Sequence, residues 1–206
     1  MREDYDCVLT IMPRQILSGH FIFGGFGMNK TKTNYLVKVG LLSAIAFILQ
    51  AIGSMMSLKV AGFLEIEFSD LPAIIGTLSL GPVAGVLIEL IKNIIHLPMT
   101  STGFVGEFAN FVVNGTFVLV IGVFYKLDKT KKGAILALVM GSIIMPVAAA
   151  LVNYFIMLPL YMPAASYAVK FNLVLTTITP FNFVRAIVLS IITLFCYKRI
   201  SPILHR

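Results

Sequence analysis

Charged residues are scarce in this chain. Only 12% of its 206 residues are Asp, Glu, Lys or Arg, about half of the 25% that a soluble domain usually carries. Such a chain cannot cover a globular surface with charge, and 58% of its residues are hydrophobic. A soluble enzyme, a disordered tail and a fibrous repeat are therefore disfavoured, and the composition predicts a protein whose surface faces a lipid bilayer.

Sequence motifs for chemistry are also missing. The two cysteines, Cys7 and Cys196, lie far apart and form no metal or redox motif, so no disulfide framework is expected. The chain has no phosphate-binding glycine loop of the ATPase type and no HExxH zinc motif. Because no paired nucleophile and base is visible either, we predict that the chain is not an enzyme and has no metal site and no cofactor.

The amino-terminal residues differ from the rest of the chain. Residues 1–27 mix charges, a proline and a glycine cluster, without the apolar run and small-residue cleavage site of a signal peptide. We predict that they are an extension outside the fold, and that residues 28–206 form one membrane domain. The alternative is a functional amphipathic helix at the amino terminus.

Long apolar segments predict an all-α integral membrane protein. Four of them have the length of a full membrane span, which needs about 20 residues. They run from about Leu36 to Leu58 and over residues 104–125, 133–160 and 180–197, with a polar-aromatic loop before the last. Residues 71–97 are apolar but interrupted at Gly81-Pro82, so they form either one kinked helix or two short antiparallel helices. A short extended piece is expected around Phe63–Phe68.

Charge placement favours the pair of short helices. In that arrangement most basic residues share one side of the membrane, and only Lys59 and Lys170 lie on the other. Lys and Arg collect on the cytoplasmic side, so we predict six transmembrane helices with both termini cytoplasmic, and we attribute the net charge of +7 to this asymmetry and not to nucleic-acid binding. The residues on the basic side are Lys30, Lys32, Lys38, Lys126, Lys129, Lys131, Lys132, Lys198, Arg199 and Arg206.

The short helices also predict a cavity. The ten residues Leu71–Leu80 rise by about 15 Å, which is about half of the hydrocarbon core. Backbone that ends at this depth must be surrounded by protein or line a cavity. An outward-facing ligand cavity is therefore expected.

Four ionisable residues lie in or near the apolar segments, where each costs about 2.5–3.5 kcal/mol. Glu89 and Lys92 are spaced three apart and can pair on one helix face, although Lys92 could instead reach the cavity. Glu107 starts the fourth span, where a carboxylate also suits the helix dipole. Arg185 starts the sixth span, where a long side chain could also extend towards the outer interface.

Two asparagines complete the candidate ligand site. Asn153 lies in the outer half of the fifth span, and Asn182 precedes Arg185 by three residues. An amide offers a donor and an acceptor side by side, which matches the edge of a flat heterocycle, and the guanidinium offers a fork of donors. Convergence of such groups from different helices predicts one ligand site. Apolar and aromatic walls could come from Phe63, Leu64, Phe68 and Tyr154.

These strings resemble the riboflavin-specific substrate-binding (S) component of energy-coupling factor (ECF) transporters. The likeness runs from about Met28 to the carboxyl end. It rests on LLSAIAFIL, EIEFSDLPAIIGTLSLGPVAGVLIELIKN, VGEFANF, NYFIMLPLY and PFNFVRAIV. The FSDLP segment followed by GPVAG and a Lys-Asn pair is typical of S components, and PFN followed by a basic residue points to the riboflavin branch. That branch commonly has lysine where this chain has Arg185.

The resemblance implies a multi-pass protein of the bacterial cell membrane that captures riboflavin from outside as its transported ligand. Glu107, Asn153, Asn182 and Arg185 would bind its polar edge and ribityl chain, and the loop Leu58–Leu71 would close over it. The implied partners are a transmembrane scaffold subunit and two cytosolic ATPases. The first span would dock on the scaffold through small residues, which here are Gly40, Ser43, Ala44 and Ala46.

Two alternatives stay open at this point. The chain could be an S component for another vitamin, such as thiamin, pantothenate or a folate. From a different class, it could be a small intramembrane enzyme that uses Glu107 or the Glu89–Lys92 pair.

Overall fold

The computed structural model describes residues 30–56, 59–60, 64–65, 68–100 and 103–204. The predicted extension, residues 1–27, and the candidate wall residue Phe63 lie outside this part of the chain. The chain divides into two compact units, residues 1–36 and 37–206. In the first unit the structure describes a helical stretch from Lys30, and the account below concerns the second unit.

Helices make up nearly all of the described chain, as predicted. The helix α1 (Lys30–Met56) is followed by the two-residue strands β1 (Lys59–Val60) and β2 (Leu64–Glu65), which pair antiparallel with Lys59 opposite Glu65. The second strand falls within the expected extended piece. The other α-helices are α2 (Leu71–Leu80), α3 (Pro82–His96), α4 (Gly103–Leu127), α5 (Lys131–Val152), α6 (Leu158–Tyr161), α7 (Tyr167–Leu173) and α8 (Thr179–Leu204). A 3-10 turn, Leu97–Met99, follows α3.

Five helical stretches are long and apolar enough to cross a membrane. They are Lys32–Met55, Pro82–Met99, Phe104–Leu127, Lys131–Tyr161 and Tyr167–Cys196. The helix α2 is a sixth, shorter apolar helix of ten residues. The six-helix architecture with short second and third helices is therefore confirmed, since α3 has 15 residues and rises by only about 22 Å.

Gly81 separates α2 from α3. Its φ of +103° and ψ of 171° fall in a region that only glycine adopts readily. Its N–H donates to the carbonyl of Thr77 at 3.0 Å and closes α2. Pro82 then opens α3, where its fixed φ suits the first turn and its missing N–H costs nothing. The Gly-Pro pair thus produces two helices, as charge placement predicts.

Glycines bring the central helices close together. A Cβ at Gly122 in α4 would lie 2.5 Å from the Cβ of Pro82, and one at Gly141 in α5 would lie 2.8 Å from Ile121 of α4. Neither position has room for a larger residue, so α4 packs tightly on both α3 and α5. Phe117 and Ile121 are fully buried in this core.

The last two spans each contain a π-helical segment. We call Asn153–Met157, between α5 and α6, the segment π1, and Val174–Ile178, between α7 and α8, the segment π2. Each ends two residues before a proline, Pro159 or Pro180. In an α-helix the proline ring would clash with the carbonyl four residues earlier, which here lies inside the π segment. The wider π turn relieves this clash and lets both spans continue.

The sixth span begins earlier than predicted. The polar-aromatic loop expected before residue 180 is limited to Met162–Ser166, because α7 starts at Tyr167 and leads through π2 into α8. The Ser166 side chain caps α7 by accepting a hydrogen bond from the Val169 N–H. The prediction was wrong here because Pro180 and the threonines before it read as a helix break.

Candidate ligand-binding site

Asp70, directly before α2, is the centre of a buried polar network. Its side chain is fully buried. Oδ1 accepts hydrogen bonds from Lys92 Nζ at 2.5 Å and from Asn114 Nδ2 at 2.9 Å. Oδ2 accepts one from Arg185 Nη2 at 2.7 Å. One carboxylate therefore joins the start of α2 to α3, α4 and α8.

Four charges meet in this network. Lys92 Nζ also lies 2.8 Å from Glu89 Oε2 and donates to Ser69 Oγ at 3.0 Å. We call Asp70, Glu89, Lys92 and Arg185 the ionic cluster. Its two carboxylates balance its two cations, which is necessary because desolvating a single ion costs several kcal/mol. The Arg185 side chain is 12% exposed, whereas those of the other three are completely buried.

The ionic cluster contains two of the predicted site residues, Lys92 and Arg185. The expected pairing of Glu89 with Lys92 is present at 2.8 Å. Lys92 is directed at protein carboxylates and is enclosed by them, while Arg185 is the member that keeps some exposure.

Asn110 and Asn114 extend the network along α4. Asn114 Nδ2 also donates to Asn110 Oδ1 at 3.0 Å. The bond from Asn114 to Asp70 links α4 to the start of α2. Among the described residues, Asn114 Oδ1 has no hydrogen-bond partner although it is buried.

Glu107 belongs to a second polar group. Its Oε1 lies 3.0 Å from His96 Nδ1, and its Oε2 accepts a hydrogen bond from Gln50 Nε2 at 3.1 Å. His96 Nε2 in turn lies 3.4 Å from Ser54 Oγ. We call Gln50, Ser54, His96 and Glu107 the histidine cluster. It ties α1 to the end of α3 and the start of α4, so the predicted ligand residue Glu107 also holds helices together.

Asn153 is the first residue of π1, and Asn182 lies four residues after the end of π2. Both are buried, and π1 and π2 contact each other. Asn153 Nδ2 donates to the Ala149 carbonyl at 2.8 Å, and Asn182 Nδ2 donates to the Ile178 carbonyl at 2.9 Å. Among the described residues, neither side-chain oxygen accepts a hydrogen bond. Asn182 lies one turn before Arg185 on the same helix, so the two side chains share a face.

The predicted aromatic and apolar wall is only partly described. Phe68, directly before the ionic cluster, is exposed, and Tyr154 is half-buried with its ring edge-on to Phe155 and Phe171. Leu64 is described through its backbone alone, in β2. The structure therefore leaves exposed aromatic surface at Phe68 near Asp70.

The predicted docking residues fall on two faces of α1. Gly40 and Ala44 are exposed, and a Cβ at Gly40 would meet nothing within 4 Å. Ser43 and Ala46 instead point into the protein and are almost completely buried. The proposed contact surface must therefore be corrected to Gly40 and Ala44, because an enclosed side chain cannot meet another subunit directly.

Three polar residues of this region are not predicted from the sequence: Asp70, His96 and Gln50. In the sequence, Asp70 looks like an ordinary charged loop residue before Pro72. His96 is one of three histidines that form no motif. A usable signal exists for Asp70 alone, since a carboxylate directly before an apolar helix must be paired or hydrated.

Comparison with known proteins gives a consistent result. Residues 34–197 match the family described as "ECF transporter, substrate-specific component". The chain is 33% identical over 183 residues to the riboflavin transporter RibU of Staphylococcus aureus (strain TCH60), covering 87% of this chain and 96% of that protein. It is 32% identical over 179 residues to the riboflavin transporter FmnP of Bacillus subtilis (strain 168), covering 83% and 94%.

A solved structure is similar as well. The S component of a bacterial ECF transporter superposes with a TM-score of 0.72 at 31% sequence identity, over 85% of this chain and 99% of that chain. The likeness therefore covers most of this chain and nearly all of that one.

Proposed function

The chain belongs to the family of substrate-specific components of ECF transporters, and we propose that it is the riboflavin-binding membrane subunit of such a transporter. It is thus a transporter component and not an enzyme. The observation that carries the choice of riboflavin is the likeness to RibU over 96% of that protein. If the ligand were thiamin, pantothenate or a folate, the identity of over 30% between this chain and two riboflavin transporters would be unexplained.

The chemistry of the polar residues supports this ligand. Riboflavin has a flat apolar ring, an amide-like edge and a hydroxylated chain. The carbonyl oxygens of Asn153 and Asn182 can accept hydrogen bonds from the amide edge, and Arg185 can donate to carbonyl or hydroxyl oxygens. Glu107 and Lys92 are proposed as further contacts, and Phe63, Leu64, Phe68 and Tyr154 as wall residues.

The partners follow from the class of transporter. The chain carries no nucleotide-binding motif, so the energy for uptake must come from other subunits. We propose a transmembrane scaffold subunit and two cytosolic ATPases, with Gly40 and Ala44 on the exposed face of α1 as the docking surface. Small residues four apart allow close approach of another membrane helix. As a multi-pass membrane protein it would have both termini in the cytoplasm, where its basic residues collect.

A binding titration tests the proposal. The protein is purified in detergent, and riboflavin fluorescence is followed as the protein is added. We expect quenching that saturates at one riboflavin per chain, with weaker binding for Asn182→Ala and Arg185→Ala in proteins that still fold. Saturable binding of thiamin, pantothenate or folate without riboflavin binding would assign the chain to another vitamin.

A further inference from the structure

We propose that Asp70 is a positioning residue for the ligand: it holds the Arg185 guanidinium where that side chain meets riboflavin. The inference rests on the proposed function, because it needs Arg185 to contact the ligand. The observation that carries it is the 2.7 Å bond between Asp70 Oδ2 and Arg185 Nη2, which joins residues 115 positions apart.

Arg185 needs such a support. An arginine side chain has about 2 kcal/mol of rotamer entropy. Arg185 lies inside the span Tyr167–Cys196, where a charged side chain is usually paired with another charge. The guanidinium is planar, with its donors in a rigid fork. Holding Nη2 at Asp70 therefore restricts the direction in which the other nitrogens of Arg185 point.

Asp70 can provide a fixed point because two rigid helices hold it. Its other oxygen, Oδ1, is occupied by Lys92 of α3 and Asn114 of α4. Oδ2 is thereby left to Arg185. The position of the guanidinium is thus set by α3 and α4, and Lys92 acts on the ligand through Asp70 as well as by any contact of its own.

A helix-capping role does not explain Asp70. It stands at the residue that precedes α2, where a carboxylate often accepts a hydrogen bond from the first turn. Here the side chain makes no such bond, and the carboxylate is directed at the three donors from α3, α4 and α8. The carboxylate thus bonds to residues of other helices and not to the first turn of its own helix.

A double-mutant cycle tests the proposal. The affinity for riboflavin is measured by fluorescence quenching for the unmodified protein, Asp70→Asn, Arg185→Gln and the double variant. Each single change should weaken binding at least about tenfold. The double variant should bind within about twofold of Arg185→Gln, because Asp70 acts through Arg185 and has nothing left to position.

Glu89→Gln is the matched control. It also removes one buried negative charge beside Lys92, and it leaves the bond between Asp70 and Arg185 in place. Both Asp70→Asn and Glu89→Gln should lower the thermal midpoint, whereas only Asp70→Asn should weaken riboflavin binding by about tenfold or more. If Asp70→Asn does not fold, Asp70→Glu keeps the cluster neutral, moves the carboxylate by one methylene group, and should likewise weaken riboflavin binding.

The outcomes separate the two proposals. If the unmodified protein binds riboflavin and Asp70→Asn binds it equally well, the positioning role is wrong and the proposed function stands. The positioning role is also wrong if the loss of affinity in the double variant equals the product of the two single losses. Asp70 would then act independently of Arg185. If the unmodified protein does not bind riboflavin, the proposed function and this inference both fall.

Discussion

Nδ1 of His96, the last residue of α3, lies 3.0 Å from Oε1 of Glu107 in α4. Gln50 of α1 donates to the other oxygen of the same carboxylate. The span that contains Gln50 is the least enclosed of the five long ones, with 28% of its apolar window buried. The histidine cluster therefore joins this least enclosed span to α3 and α4.

Replacing Gln50 with leucine should loosen this attachment. The change keeps the volume but removes a hydrogen bond to a buried carboxylate, and we expect a loss of about 1–2 kcal/mol in the free energy of unfolding. The measurement is the shift of the thermal midpoint in detergent. Ser142→Ala is the control, because it removes a buried hydrogen bond to Ser190 that involves neither α1 nor a charge. A smaller loss for Gln50→Leu than for Ser142→Ala would contradict the role of the cluster.

Gly81 should be intolerant of any side chain. Its backbone conformation, φ +103° and ψ 171°, is strained for other residues, and Gly81→Ala should cost about 1–3 kcal/mol. Gly115→Ala is the matched control inside α4, where the new Cβ would lie 3.6 Å from Phe111 and alanine should stabilise the helix by up to about 1 kcal/mol. If the thermal midpoint falls equally in both variants, the backbone conformation at position 81 does not require a glycine.

The short second helix illustrates what the sequence could predict. Its bounds, Leu71–Leu80, follow from an apolar run that ends at Gly81-Pro82, and from the basic residues that must share one side of the membrane. The Glu89–Lys92 pair is likewise predictable, because residues three apart on a helix are neighbours. In each case the physical cause is local in the chain.

The failures have non-local causes. Asp70 becomes the centre of the ionic cluster only because α3, α4 and α8 bring Lys92, Asn114 and Arg185 to it, and no spacing in the sequence records that meeting. Ser43 and Ala46 look like Gly40 and Ala44 in composition, but which face of α1 is covered depends on the neighbouring helices. The π segments also escape prediction, because one extra residue per turn interrupts the 3.6-residue period.

The segment π1 offers a test of its own, because a π turn in a helix is equivalent to one inserted residue. Deleting Phe155, which is exposed, should convert π1 to α-helix and remove the wider turn that sets the direction of the Asn153 side chain. We expect a folded protein in which Asn153 is displaced relative to Asn182, and riboflavin affinity at least about tenfold weaker by fluorescence quenching. Phe155→Ala, which keeps the chain length, should bind normally. Full affinity after the deletion would mean that π1 does not position Asn153.

The exposed face of α1 should matter for transport and not for binding. We expect Ala44→Phe to abolish riboflavin uptake in cells that also express the scaffold subunit and ATPases, because a large side chain at this exposed position prevents the close approach that small residues allow. The purified variant should still bind riboflavin like the unmodified protein, since the side chain points away from the bundle. Val147→Phe is the control, because it enlarges an exposed residue of α5 and should leave both uptake and binding unchanged. Normal uptake by Ala44→Phe, or equal loss in both variants, would place the docking surface elsewhere.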